Sequence, residues 1–136
     1  TMEDMDRLGL PEKGVLCKNL FLRDSKGKRH FLVTLPEEKQ VDLKKLAKTI
    51  GSTSLSFASA ERLEKYLGLK QGAVTPFGLI NDKDHAVEMF FDKDLSRSPK
   101  PLGVHPCDNT ATVFIMYKDL EKFLFNIDAD SMKIRI

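Results

Sequence analysis

Two runs rich in apolar residues, 15–23 and 29–35, are separated by Asp24-Ser25-Lys26-Gly27-Lys28, a polar link with one glycine. That pattern predicts a β-hairpin, and Pro36 closes its second strand. Asp42 is placed to cap a helix in which Leu43, Leu46, Ala47 and Ile50 recur at helical spacing, with Gly51 as its stop. Residues 55–58 predict a short strand. Ser59 is placed to cap a helix through Leu67, with Leu63 and Leu67 on its buried side and Gly68 ending it. Residues 71–76 read as a loop, 77–80 as a strand, 81–84 as a turn and 85–91 as another strand. Pro99, Pro101 and Gly103 make 92–103 an irregular connection. Residues 110–116 form a β-branched strand, 119–124 the core of a short helix, and 132–136 an edge strand. Strands paired both by a hairpin and across helices give an α+β fold with a mixed sheet flanked by helices. No internal repeat or linker divides 1–136, which reads as a single domain.

Lys18 stands out in this pattern. It lies in Cys17-Lys18-Asn19-Leu20-Phe21-Leu22, where period-two alternation puts its ammonium on the same face as Leu20 and Leu22. If that face is inward, the charge needs an anionic or hydrogen-bonding partner, which can be a bound ligand; if it faces solvent, the lysine is ordinary. Gly72-Ala73-Val74-Thr75-Pro76 is a stiff turn or, by the same physics, a loop that offers backbone N–H groups to a carbonyl or phosphate oxygen. His105-Pro106 enters a strand from an irregular segment, a place where working residues are often carried. His30 and His85 read as structural or exposed. Asn109-Thr110-Ala111-Thr112 supplies one amide and two hydroxyls around a small space.

Composition narrows the classes. The chain has 136 residues, one domain by length, with 41% hydrophobic and 31% charged residues, as in soluble globular proteins. A net charge of +2 argues against broad binding to DNA or RNA, while leaving room for a local basic patch around one RNA end. No apolar run is long enough to span a membrane. The acidic opening Thr1-Met2-Glu3-Asp4-Met5-Asp6 is unlike a secretory signal, and a start at threonine implies that preceding residues are missing. Cys17 and Cys107 match no CxxC or zinc spacing, so two reduced thiols in the cytoplasm are expected. Neither GxSxG nor HExxH occurs.

The ordered set Lys18-Asn19-Leu20-Phe21-Leu22-Arg23-Asp24, Gly72 to Pro76 running on to Asp82, His105-Pro106 and Asn109-Thr110-Ala111-Thr112 resembles the YbaK/prolyl-tRNA-synthetase-associated editing domains. Within them it is most similar to the freestanding prolyl-tRNA editing proteins of the ProX/PrdX type, from about Leu8 onward. The resemblance implies the editing-domain fold and hydrolysis of the ester in mischarged Ala-tRNA(Pro). Lys18 would be the catalytic-site residue. Asn19, Gly72, Ala73, Val74, Thr75, Pro76, His105, Asn109, Thr110 and Thr112 would shape the substrate site. No metal or cofactor is implied. The partners would be the acceptor end of a mischarged tRNA and, for delivery, prolyl-tRNA synthetase. The family usually begins with a further helix and strand, which would precede Thr1. Cys107-Asp108 departs from the more apolar pair expected there, which bears on selectivity. Deacylation of Cys-tRNA(Pro), as in the YbaK branch, and non-catalytic binding of aminoacyl-tRNA or a nucleotide are the alternatives.

Overall fold

The computed structural model describes residues 13–105 and 111–136. The predicted hairpin forms: β1 (Val15–Arg23) pairs antiparallel with β2 (His30–Pro36), from Cys17 opposite Pro36 to Arg23 opposite His30. Asp24 shapes its turn by accepting the Lys28 and Arg29 N–H groups, contacts that hold its carboxyl below the usual range. Both predicted caps hold. Asp42 accepts from Lys44 and Lys45 N–H to start α1 (Leu43–Ile50), and Ser59 accepts from Arg62 N–H to start α2 (Ala60–Leu67). Gly51 and Gly68 end these helices in left-handed conformation. Between them lies β3 (Ser56–Phe57).

Two expectations fail. Residues 77–80 are not a strand but part of a 3-10 turn, Pro76–Asn81. Pro76 sits at its first position with Thr75 as cap, and proline there favours a helical start over an extended run. Residues 92–103 are not wholly irregular. Asp92 caps the short helix α3 (Lys93–Ser96), and Leu102–Val104 forms β5. The remaining elements are β4 (Val87–Asp92), β6 (Val113–Ile115), α4 (Tyr117–Asn126) and β7 (Ser131–Ile134). β4 starts two residues later than expected, because His85 takes a left-handed turn at φ 53°.

The strands form one mixed sheet in the order β6-β5-β1-β2-β4-β7, with β3 alongside β1. β5 runs parallel to β1, β4 to β2, and β7 to β4 at the edge. Each face carries a core. Phe21, Leu32, Met89 and Phe91 pack with α2 and α4 on one side; Leu22, Phe31, Val33 and Phe90 pack with α1 on the other. This explains why β2 is buried at every position.

Of the two readings of His30, the structural one holds: it is buried at 1% exposure, with the Tyr66 ring 4.1 Å away and the Phe21 ring 5.7 Å away. Arg62 Nη1 lies 3.0 Å from its Nε2. Arginine only donates, so Nε2 accepts and the ring is neutral with its proton on Nδ1. Burial first, then the nearby Arg62 charge, lowers its pKa below 6.5. Lys65 and Arg23 push the same way and Asp24 opposes. The unfolded chain therefore takes up this proton first as pH falls. Stability from His30 is complete above about pH 6.5 and declines below it, by at most about 1.4 kcal/mol per pH unit. Urea midpoints at pH 7.5 and 5.5 should differ in the parent and differ less in His30→Gln; an equal difference would remove His30 as the cause.

Candidate functional site

β1 directs alternate main-chain groups to its two neighbours. The Leu16 carbonyl accepts from Glu37 N–H at 2.8 Å, on the β2 side. Val15 N–H donates to the Pro101 carbonyl and the Phe21 carbonyl accepts from Ala58 N–H, each at 2.9 Å, on the other side. Odd-numbered residues thus face β5 and β3, even-numbered ones β2. Pairing with β5 ends at Leu16–Gly103 and pairing with β3 begins at Leu22–Phe57. Between these points the N–H and C=O of Asn19 lie on an edge with no strand partner among the described residues. The sheet is open there, beside Lys18.

Lys18 is half-buried on the face of Leu16, Leu20 and Leu22, as alternation predicted, and Leu22 is fully buried. Asn19 points to the opposite face, where its side-chain Oδ1 accepts a hydrogen bond from the Thr34 hydroxyl. A pocket on one face alone could not take both side chains.

The loop from Gly72 to Pro76 is tied to the His105 segment. The Thr75 hydroxyl donates to the His105 carbonyl and accepts from Phe77 N–H. Thr75 is fully buried; Ala73 and Pro76 are buried too, and Ala73 N–H is already given to the Lys70 carbonyl. Gly72, at φ 87°, and Val74 are the loop residues with accessible surface, so the others act as scaffold. The His105 Nδ1 lies 2.9 Å from the Ala111 carbonyl. A carbonyl only accepts, so Nδ1 carries a proton and donates to it. Thr112 borders the same strands: its Cγ2 is 3.3 Å from where a side chain on Gly103 would begin. Asn109, Thr110 and Cys107 lie outside the described residues.

The structure thus joins Thr75, His105 and Thr112 at the end of β5, while Lys18 and Asn19 lie on β1, which pairs with β5 through Val15 and Leu16. Thr34 was missed, although the signal was present. A hydroxyl in the wholly apolar company of Phe31-Leu32-Val33 and Leu35 needs a partner as a buried lysine does. Burial first, then Glu37, pushes the thiol of Cys17, also on β1, up to about 12, which disfavours the thiolate that a nucleophile needs. A 480 Å³ cleft lies elsewhere, at the His30 end of the sheet. Asp82, Glu88, Asp128 and Asp130 line it, which makes it hostile to a phosphate backbone.

Comparison with known proteins places the family and the fold. Residues 1–123 match the family model of the aminoacyl-tRNA editing domain. The prolyl-tRNA editing protein ProX of Acetoanaerobium sticklandii is 50% identical over 125 residues, covering 91% of this chain and 75% of that protein. The prolyl-tRNA synthetase associated domain-containing protein 1 of Bos taurus is 36% identical over 121 residues, covering 87% of this chain and 70% of its own. A crystal structure described as that of a candidate trans-editing enzyme for prolyl tRNA synthetase superposes with a TM-score of 0.71 at 22% identity. It covers 98% of this chain and 78% of its own, a likeness of fold.

Proposed function

Since the chain belongs to the aminoacyl-tRNA editing domain family, we propose that it is a trans-editing deacylase that hydrolyses the ester of mischarged Ala-tRNA(Pro). The observation that carries this reading is the 50% identity to ProX along 91% of the chain. The geometry is compatible with it. An aminoacyl ester is already activated, so a water assisted by the vicinal ribose hydroxyl can attack without a protein nucleophile. That suits a site whose neighbouring thiol stays protonated. Lys18 holds the terminal phosphate or ribose and so orients the ester. Backbone N–H groups near Gly72 and Val74 polarise the carbonyl as negative charge develops, a contribution of roughly 3 kcal/mol per donor in comparable sites. Asn19 and Nε2 of His105 position the amino acid or the adenosine, and Thr112, with Asn109 and Thr110, walls the amino-acid space. The partners are the acceptor end of the tRNA and prolyl-tRNA synthetase as the source of the error, in the cytoplasm. Among the described residues no helix is long and apolar enough to cross a membrane.

The test is ester loss from labelled Ala-, Ser-, Cys- and Pro-tRNA(Pro). A pocket of this kind rejects proline by clash, because packed walls yield little to an extra ring. It rejects smaller residues weakly, since one methyl is worth only about 1 kcal/mol. Alanine should lead, serine leak through and proline survive. Faster loss of cysteine would move the chain to the YbaK-like alternative; intact esters throughout would leave a binding protein.

A further inference from the structure

We infer that Thr34 is the positioning residue for Asn19: its buried hydroxyl holds the carboxamide oxygen against β2 and thereby presents the Nδ2 hydrogens to an oxygen acceptor on the substrate. This rests on the editing reading above. Three observations carry it. Thr34 is fully buried in the middle of β2, where a valine would fill the same space, so the hydroxyl is there for its bond. Asn19 and Thr34 are directly opposed in the antiparallel ladder. The odd residues of β1 turn their main chain away from β2. This makes the pair the non-hydrogen-bonded kind, in which side chains come closest.

The third observation is the bond itself, from Thr34 Oγ1 to Asn19 Oδ1 at 2.5 Å. A carboxamide has an accepting end and a donating end, and a half-turn exchanges them. With its oxygen held against β2, Asn19 has its two Nδ2 hydrogens free to be directed away from Thr34. Its own N–H and C=O lie on an edge of β1 that has no strand partner among the described residues, next in the chain to Lys18. The acceptor this selects is an uncharged oxygen of the aminoacyl-adenosine end, the ester carbonyl or a ribose hydroxyl. Phosphate is left to Lys18.

The experiment is single-turnover deacylation of Ala-tRNA(Pro) by the parent, Thr34→Val, Thr34→Ser, Asn19→Ala and the double variant Thr34→Val/Asn19→Ala. Thr34→Val should be slower by about tenfold, the worth of one well-placed hydrogen bond. Thr34→Ser, which keeps the hydroxyl, should stay within about twofold of the parent on the same scale. In the Asn19→Ala background Thr34→Val should cost nothing further, since residues acting as a unit are not additive. A parental rate in Thr34→Val overturns the proposal, and so does the same loss in both backgrounds, which would mean an effect on the fold. If the parent hydrolyses none of the esters, the editing reading fails. The positioning is then judged by NMR of the Asn19 side-chain amide. Signals that shift in Thr34→Val and not in Thr34→Ser support it; signals unmoved in both overturn it.

Discussion

Lys18→Ala should abolish deacylation, with single-turnover rates down by at least about a hundredfold, while unfolding remains near that of the parent. The asymmetry follows from where the ammonium sits. It is half-buried on a face shared with Leu16, Leu20 and Leu22, so the free protein bears part of its desolvation. Alanine relieves that cost and removes the cation expected to orient the ester, so activity and stability separate. Near-normal single-turnover hydrolysis in the variant would show that Lys18 does not handle the substrate. Collapse of the fold would assign it a structural task instead.

Lys39→Ala should cost about 3 kcal/mol of unfolding free energy, toward the low end for breaking a buried ion pair because Lys39 is itself 29% exposed. Its ammonium lies 2.7 Å from Asp92 Oδ2 and 2.7 Å from Asp94 Oδ2, and it also donates to the Ile136 carbonyl. Asp92 is 1% exposed, and that Oδ2 has no other polar partner among the described residues. Hydrogen bonds to Asp92 first and Asp94 second raise the Lys39 pKa, and the same cation holds Asp94 below its usual range. Removing the lysine strands a carboxylate in the core beside β4. Urea denaturation measures the loss. Lys39→Ala combined with Asp92→Asn should recover part of it, since the second change removes the orphaned charge. A loss below about 1 kcal/mol would place the pair with ordinary surface bridges.

The elements that the sequence declares are those governed by neighbours in the chain. Asp42 and Ser59 cap, Gly51 and Gly68 stop, and the link from Asp24 to Lys28 turns, all by contacts within about five residues. What it conceals depends on distant partners. Leu102-Gly103-Val104 is a strand only because β1 and β6 flank it. Phe77 to Ile80 has a strand's composition, yet Gly78 presses so closely on Leu69 that a Cβ would lie 2.6 Å from it. The site divides in the same way. Lys18 announces itself by its cost in apolar company, and Thr34 does so by the same rule. That Lys18 and Asn19 face opposite sides follows from alternation. That the edge beside them has no strand partner among the described residues depends on where β5 stops pairing, which no local pattern records.

The parallel pairings bear on how the chain reaches this state. β1 finds β5 across most of the sequence, with Val15 against Leu102, and β2 must wait for β4, and β4 for β7. Among the described strands, β1–β2 and β5–β6 are the antiparallel pairs between strands consecutive in the chain. Topologies so weighted toward distant contacts pay loop-closure entropy before they gain contact energy, and fold in milliseconds to seconds rather than microseconds. During that interval the β1 edge around Asn19, which has no strand partner among the described residues, is exposed to capture by another chain.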